Sequence, residues 1–176
     1  MSIRPFLTNP TLVSGDGPLA AAIVSRLRRD GRAARLLVPA GLTPRRLGRA
    51  QTLILADPPD PAAAVAQALD LCTGRSRGAL PLRLILAHRG DWPTGVPKGE
   101  LPGLPVRLEG FALEAQAARA LLAAHPLHGG FDPLFGQAPH LLIAGSAPPA
   151  LALLGHAMRL AEQGDGRPAF TLAVEQ

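Results

Sequence analysis

The residues with the clearest chemical meaning form a glycine-containing turn near the N-terminus, where positions 15–20 read GDGPLA. The turn follows a short apolar run and precedes a helical pattern, which is the setting of the G-x-G-x-x-A dinucleotide fingerprint. In that fingerprint Gly15 permits the tight turn, Gly17 lets the backbone approach a pyrophosphate, and Ala20 lets helix and strand pack closely. The predicted binding residues are Gly15, Asp16, Gly17, Pro18 and Ala20. A tight turn without a ligand is the alternative.

Charged residues beyond the next strands bear on the identity of the ligand. The second predicted strand ends without the Asp or Glu that would hold a ribose 2′-hydroxyl. Arg45 and Arg46 follow it and would instead hold a phosphate, as NADP sites do. Asp57 ends the third strand, where it would border an adenine pocket or serve in a turn, and Arg89 ends the fourth, where it would contact a phosphate. We expect NAD(H) or NADP(H) as the ligand, with an adenine nucleotide as the alternative.

Groups suited to catalysis or metal binding are few. His88 ends the fourth predicted strand and is the acid–base candidate at the ligand edge, but no activated nucleophile accompanies it. His125 and His128 have the spacing to present two imidazoles to a metal, yet no Cys or Asp cluster supports them. We therefore predict no catalytic residue, no metal site and no enzymatic activity.

A second strand–turn–helix junction occurs at positions 145–150, which read GSAPPA. Ala147 puts a methyl group where a bare backbone would meet a pyrophosphate, and Pro148 and Pro149 lack N–H donors. Glu175, at the end of the last predicted strand, lies about where the acidic residue that binds a ribose is expected. We interpret this junction as a vestigial turn rather than a second nucleotide site.

Composition excludes several function classes. The 47% hydrophobic content suits a folded core, and the absence of Tyr excludes the Tyr/Lys chemistry of short-chain dehydrogenases. A single cysteine, Cys72, excludes a disulfide and a cysteine-clustered metal site, and it fits a reducing compartment. No apolar run reaches the roughly 20 residues of a membrane helix. The N-terminus has no apolar signal core, so no export signal is apparent.

The net charge of +5 is unevenly distributed along the chain. Residues 1–49 contain nine basic and two acidic residues, whereas residues 50–176 contain nine basic and eleven acidic ones. This asymmetry predicts an anionic partner near the N-terminal third, or a solvated face. Because aromatic residues make up only 3% of the chain and no nucleic-acid motif is present, we expect no nucleic-acid partner.

The elements that must position these residues alternate regularly. Apolar runs typical of buried strands fall at 11–15, 34–38, 51–56, 82–87, 105–108, 140–145 and 169–175. Segments with helical spacing fall at 18–30, 60–72, 113–124 and 149–163. Gly31 should end the first helix, and Asp60 with Pro61 should begin the second. Strands that are apolar throughout and alternate with helices indicate an α/β fold with a parallel sheet.

The order of the elements predicts two parts. Residues 1–135 should form a Rossmann-like, doubly wound parallel sheet, and residues 136–176 an additional β-α-β unit. The second part is too small to fold alone. It would extend the first sheet, pair with another subunit, or be the truncated start of a second domain.

The C-terminal half resembles a known family. The likeness is carried by residues 108–128, LEGFALEAQAARALLAAHPLH, and 136–175, GQAPHLLIAGSAPPALALLGHAMRLAEQGDGRPAFTLAVE. Within them the matching positions are Ala118, Arg119, His125, Pro126, Leu127, His140, Pro168, Thr171 and Glu175. Residues 49–56, RAQTLILA, also fit. This pattern resembles the TrkA-N, or RCK, domains of bacterial potassium transport systems, most closely those joined to a ryanodine-receptor-type repeat.

The resemblance implies a cytoplasmic nucleotide-sensing regulatory domain. Such domains bind a dinucleotide or an adenine nucleotide, assemble into dimers or rings, and act on a membrane ion channel or transporter. The resemblance therefore implies a homo-oligomer held near the inner membrane through its partner. One alternative is a ligand-free scaffold or oligomerisation domain with a degenerate Rossmann fold. Another alternative is an NAD(P)-dependent oxidoreductase, which would have to use His88 as its acid–base group.

Overall fold

The computed structural model describes residues 10–74, 80–127, 140–162 and 169–173. The chain divides into two compact units, Met1–Phe111 and Ala112–Gln176. The boundary precedes the helix at 113–124, which therefore lies in the second unit. Three of the residues singled out above, His128, Pro168 and Glu175, lie outside the described residues.

The first unit contains six strands and three helices among its described residues. The strands are Thr11–Ser14 (β1), Ala34–Leu37 (β2), Thr52–Ala56 (β3), Leu82–His88 (β4), Gly99–Glu100 (β5) and Val106–Ala112 (β6), which ends at the boundary. The helices are Pro18–Arg29 (α1), Pro44–Leu47 (α2) and Pro61–Cys72 (α3), with a 3-10 turn at Pro39–Gly41. The 3-10 turn, α2 and β5 were not predicted because each is too short to show a hydrophobic period.

The six strands form one sheet in the order β2-β1-β3-β4-β6-β5. β1 is parallel to β2 and β3, β3 is parallel to β4, and β5 is antiparallel to β6. The predicted α/β, Rossmann-like class is thus confirmed. Because the chain places β2 on one side of β1 and β3 on the other, the strand order reverses between β1 and β3. Ligands of open α/β sheets lie at the carboxyl ends of the strands that flank such a reversal.

Apolar side chains cover both faces of the sheet. Leu12, Leu53 and Leu84 lie side by side in the strand register and belong to the core cluster that includes α2 and α3. Val13, one position further along β1, belongs instead to a second cluster with Ala20 of α1. Since successive residues of a strand point to opposite faces, α1 covers one face and α3 the other. The sheet is therefore doubly wound, as predicted.

Short turns connect β1 and β3 to the helices that follow them. Asp60 caps α3 by accepting a hydrogen bond from Ala63 N at 2.9 Å, and Pro61 is the first helical residue. α1 begins at Pro18 without a side-chain cap. It ends at Arg29, and Gly31 beyond it has a φ of 74° that lets Arg32 N donate a 2.9 Å hydrogen bond to Leu27 O. The N-termini of α1 and α3 consequently lie at the carboxyl edge of β1 and β3.

The segment between β4 and β6 is organised around Trp92, the only tryptophan of the sequence. Trp92 Nε1 donates a 2.7 Å hydrogen bond to Val96 O, and Lys98 Nζ lies 4.6 Å from the ring centroid. The ring packs so closely on Gly110 that a Cβ there would collide with it. His88 contacts the ring edge-on, with centroids 5.4 Å apart. This packing fixes the end of β4.

The second unit contains Leu113–Ala124 (α4), His140–Ala144 (β7), Pro148–Glu162 (α5) and Ala169–Ala173 (β8). β7 and β8 are parallel and form a separate two-stranded sheet among the described residues. The β-α-β pattern predicted after residue 139 is present. α4 packs against α5, with Ala118, Leu122 and Ala157 buried. No helix in the described parts of either unit is long and apolar enough to cross a membrane.

The pH dependence of stability should report on His156 of α5. Partial burial, with the positive charges of Arg119 and Arg159, holds the pKa of His156 below its ordinary value. The unfolded chain therefore takes up the proton first. Stability that is complete above the unfolded pKa of about 6.5 is lost as the pH falls through the folded-state value.

We expect the thermal unfolding midpoint of the wild-type chain to fall more steeply than that of His156→Gln between neutral and mildly acidic pH. Circular dichroism melts of both proteins over that range provide the comparison. Parallel curves for the two proteins would show that His156 is not destabilised by protonation.

Candidate functional site

A cavity of about 220 Å³ opens where the strand order reverses. We call it the switch-point cavity. Its walls come from the end of β1, the segment after β2, the loop after β3 and the start of α3. The lining residues are Ser14, Gly15, Asp16, Pro39, Leu42, Leu55, Ala56, Asp57, Pro58, Pro59, Asp60, Ala63, Ala64 and Gln67. The cavity thus lies where ligands bind in folds of this class.

The packing around Gly15, at the base of this cavity, leaves no room for a side chain. A Cβ at position 15 would lie 3.0 Å from Ala20 Cβ and 3.0 Å from Ala56 O. Gly15 N also donates a 3.0 Å hydrogen bond to Leu37 O. Since Ala20 is fully buried, the turn brings α1, β1 and β3 together at van der Waals distance.

Gly17 differs from Gly15 because the fold does not require it to be glycine. Its φ of −87° and ψ of 172° are open to any residue, and a Cβ there would meet nothing within 4 Å. The space beside this backbone is therefore open at the N-terminus of α1. Pro18, the next residue, has no N–H to offer. The geometry leaves room for a ligand phosphate to approach the helix N-terminus.

Three carboxylates lie around the cavity. Asp57 has a φ of 49°, in the left-handed region, and its Oδ2 accepts a 2.8 Å hydrogen bond from Arg89 Nε. Asp60 is engaged in capping α3. Asp16 is exposed and makes no hydrogen bond or ion pair with another described residue. Strained non-glycine residues such as Asp57 tend to cluster at functional sites.

The charges suggest which chemical groups the cavity accepts. No Arg, Lys or His is among its lining residues. Carboxylates accept hydrogen bonds from hydroxyl and amino groups and repel phosphates. Apolar side chains such as Leu42 and Leu55 supply walls for a flat ring. A sugar with an attached base therefore suits this cavity better than a phosphate does.

Within the described part of the chain, no group of three metal-binding side chains occurs.

The structure divides the sequence-predicted site residues into sets. Gly15, Asp16 and Asp57 line the switch-point cavity, and Arg89 reaches it through its ion pair with Asp57. The other residues of the turn, Gly17, Pro18 and Ala20, adjoin it along the chain. Arg45 and Arg46 line a different, larger groove on the other side of the segment after β2.

His88 lies inside the protein and does not line the cavity. Its relative exposure is 4%, and its Nδ1 lies 3.4 Å from Arg89 O. Its ring contacts Trp92. The acid–base candidate of the oxidoreductase alternative is therefore not placed to exchange a proton with a ligand in the cavity.

Several residues that line the cavity were not predicted from the sequence. Pro39 and Leu42 reach the cavity because the 3-10 turn folds the chain back after β2, and such a turn has no periodic signal. Gln67 lies on α3, two turns from its start. Asp60 was predicted only as a helix cap. Its spacing from Asp57, across two prolines at the end of a buried strand, was a usable signal for a second carboxylate at the same edge.

The second glycine turn provides a more apolar pocket, of about 430 Å³, within the second unit. Gly145 has a φ of 109°, and its N–H donates to Ala173 O at 2.7 Å. Ala147 and Pro149 line this pocket with Leu142 and Leu153. Pro149 has no N–H to offer a phosphate and that of Gly145 is already bonded, and the interpretation as a vestigial turn stays a prediction.

Comparison with known proteins finds no relative: no family model, no curated protein and no solved structure matches the chain.

The two glycines of the first turn should respond differently to alanine. Gly15→Ala should lower the free energy of unfolding by about 1–3 kcal/mol, because its methyl group would crowd Ala20 and Ala56. Gly17→Ala should change it by less than about 0.5–1 kcal/mol, because the site is open. Urea denaturation of both variants gives the comparison. Equal losses would contradict the close approach at Gly15.

Proposed function

We propose that the first unit is a nucleotide-binding regulatory domain that acts by binding rather than by catalysis. The nucleoside would occupy the switch-point cavity, and its phosphates would extend toward Gly17 at the N-terminus of α1. One observation carries the proposal: a carboxylate-lined cavity at the strand reversal adjoins a glycine that the fold itself does not need. This arrangement supports a sugar held by hydrogen bonds and a phosphate held by backbone N–H groups.

Asp16 would take the part of the acidic residue that is absent after β2. In dinucleotide-binding domains a carboxylate at the end of the second strand accepts hydrogen bonds from the ribose. Here β2 ends in Leu37. Asp16 lines the same cavity and, among the described residues, has no competing partner. The negative charge beside the glycine turn would then contact the sugar instead of opposing the phosphate.

The size of the cavity favours an adenine mononucleotide over a whole dinucleotide. Its 220 Å³ lies below the roughly 300–1,000 Å³ of pockets that bury drug-sized ligands. A single nucleoside fills such a space, whereas NAD(H) or NADP(H) would leave its second half outside. The separation of Arg45 and Arg46 from the cavity also weakens the argument for a 2′-phosphate held there.

The regulatory role and the partner rest on the resemblance to TrkA-N domains. By that resemblance the protein would be a cytoplasmic homo-oligomer that acts on a membrane ion channel or transporter. A nucleotide regulates such an assembly only if it binds two of its conformations with different affinities. The burial of His88 supports a role without catalysis.

A scaffold function is the second candidate, and the second unit favours it. Its two-stranded parallel sheet is small for independent stability, because parallel sheets are normally covered on both faces. Large apolar side chains are exposed on it, including Leu142 at 65% and Leu151 at 51%. Self-association would cover such a surface. Sedimentation with and without nucleotide separates the candidates, since a pure scaffold would form an oligomer insensitive to nucleotide.

Titration calorimetry of the full chain with ADP, ATP, NAD, NADH and NADP tests the nucleotide proposal. We expect ADP to bind at least as tightly as NAD. Asp16→Asn should weaken ADP binding by about tenfold, since a hydrogen bond to a charged acceptor is lost. Gly17→Val should weaken it by a similar factor, because its side chain would fill the open space.

Asp30→Asn is the matched control, since Asp30 is an exposed carboxylate at the far end of α1. It should leave ADP affinity unchanged, and all three variants should melt within a few degrees of the wild type. Absence of binding by every nucleotide at millimolar concentration would refute the proposal, as would an equal loss in Asp30→Asn.

A further inference from the structure

A groove of about 1140 Å³ lies beside the edge strand β2 and is lined by five arginines. We call it the arginine groove. Arg28 comes from α1, Arg35 from β2, and Arg45 and Arg46 from α2, with Arg49 shortly after it. No Asp or Glu is among the lining residues. Five of the nine basic residues of the N-terminal third thus lie on one concave surface.

The guanidinium groups are partly fixed in place. Arg28 Nε donates to Ala34 O at 3.1 Å, and Arg46 Nη1 donates to Gly41 O at 2.6 Å. These bonds use backbone oxygens and leave the positive charges uncompensated. The side chains of Arg35, Arg45 and Arg49 form no ion pair or hydrogen bond with the described residues. Like charges gathered in this way repel one another, so an anion that fits between them would bind favourably.

We propose that the arginine groove is a second ligand site, which binds a small molecule carrying several phosphate groups. Arginine presents a planar fork of donors that matches phosphate oxygens, and several forks around one concavity suit several phosphates. The volume of about 1140 Å³ slightly exceeds the roughly 300–1,000 Å³ of typical small-molecule sites, so several phosphate groups have room in it. Exposed Leu36 gives the groove an apolar patch for the uncharged part of such a ligand.

Two observations favour this ligand over a nucleic acid. No aromatic side chain lines the groove, so bases would have nothing on which to stack. The arginines also come from three elements that surround a concavity, rather than from a stripe along one face that would follow a long backbone. A compact cluster of phosphates therefore matches the groove better than a polymer does.

The site is separate from the switch-point cavity and does not depend on the function proposed for it. The segment after β2 forms a wall of both: Pro39 and Leu42 line the cavity, whereas Ala40, Gly41 and Thr43 line the groove. A probe without a nucleoside distinguishes the two, because the carboxylates of the cavity would reject it. Inorganic triphosphate is such a probe.

Titration calorimetry with inorganic triphosphate at constant ionic strength tests the proposal on the full chain. Arg45→Gln/Arg49→Gln should weaken binding by at least about tenfold, since two charge-assisted contacts are lost. Arg45→Lys/Arg49→Lys keeps the charge but not the fork, so an intermediate loss is expected. Folding should be unaffected, because these side chains have no described partner, and thermal melts check it.

Arg29→Gln/Arg32→Gln is the matched control, since it removes the same charge from exposed positions outside the groove. It should change affinity by no more than about twofold, because charges that do not contact the ligand act on it only through the screening solvent. Asp16→Asn should leave triphosphate binding unchanged, so a failure of the nucleotide proposal does not imply a failure here. Equal losses in the two glutamine variants would overturn the proposal, as would the absence of binding at millimolar triphosphate. Tighter binding of an oligonucleotide with equal phosphate number would also overturn it and assign the groove to nucleic acid.

Discussion

The close approach of three backbone segments at Gly15 is the constraint on which the first unit depends. A side chain at this position would press against Ala20 and the carbonyl of Ala56, so glycine alone lets α1 leave β1 beside the end of β3. That contact puts the N-terminus of α1 next to the loop after β3, and the space left between them is the switch-point cavity. Buried alanine at position 20 completes the fit from the helix side. The same packing requirement that stabilises the sheet therefore also creates the switch-point cavity.

Charge is sorted on the two sides of the segment that follows β2. The switch-point cavity is bordered by carboxylates of which Asp57 is paired with Arg89, while the arginine groove has cations and no carboxylate. Opposite charges at adjoining surfaces have different chemical preferences, and we accordingly propose hydroxyl or amino donors for the cavity and phosphates for the groove. The short 3-10 turn Pro39–Gly41 forms part of the boundary, so a ligand in either site would press on the same few residues. The second unit is held by packing between α4 and α5, and large apolar side chains such as Leu142 are exposed on it.

The sequence predicted those features that have a strong local cause. Buried strands such as Thr52–Ala56 show continuous apolar runs, and Asp60 followed by Pro61 predicts the start of α3. The glycine turn predicted the edge at which the cavity lies. Distances between segments far apart in the chain were not predictable in this way. Tertiary packing determines that Asp57 pairs with Arg89 and that His88 is buried against Trp92. It also places Arg45 and Arg46 in a groove separate from the cavity. The sequence pattern predicted which residues lie at the same sheet edge but not which of them share a cavity.

Hydrogen–deuterium exchange of the full chain with and without saturating ADP shows whether the nucleotide binds at the switch-point cavity, because it locates the bound nucleotide along the backbone. We expect slower exchange at residues 14–20 and 56–60, which border the switch-point cavity and the N-terminus of α1. Residues 145–150, at the second glycine turn, should exchange as before. Protection confined to residues 145–150, or bound ADP with no protection at residues 14–20, would contradict binding at the switch-point cavity.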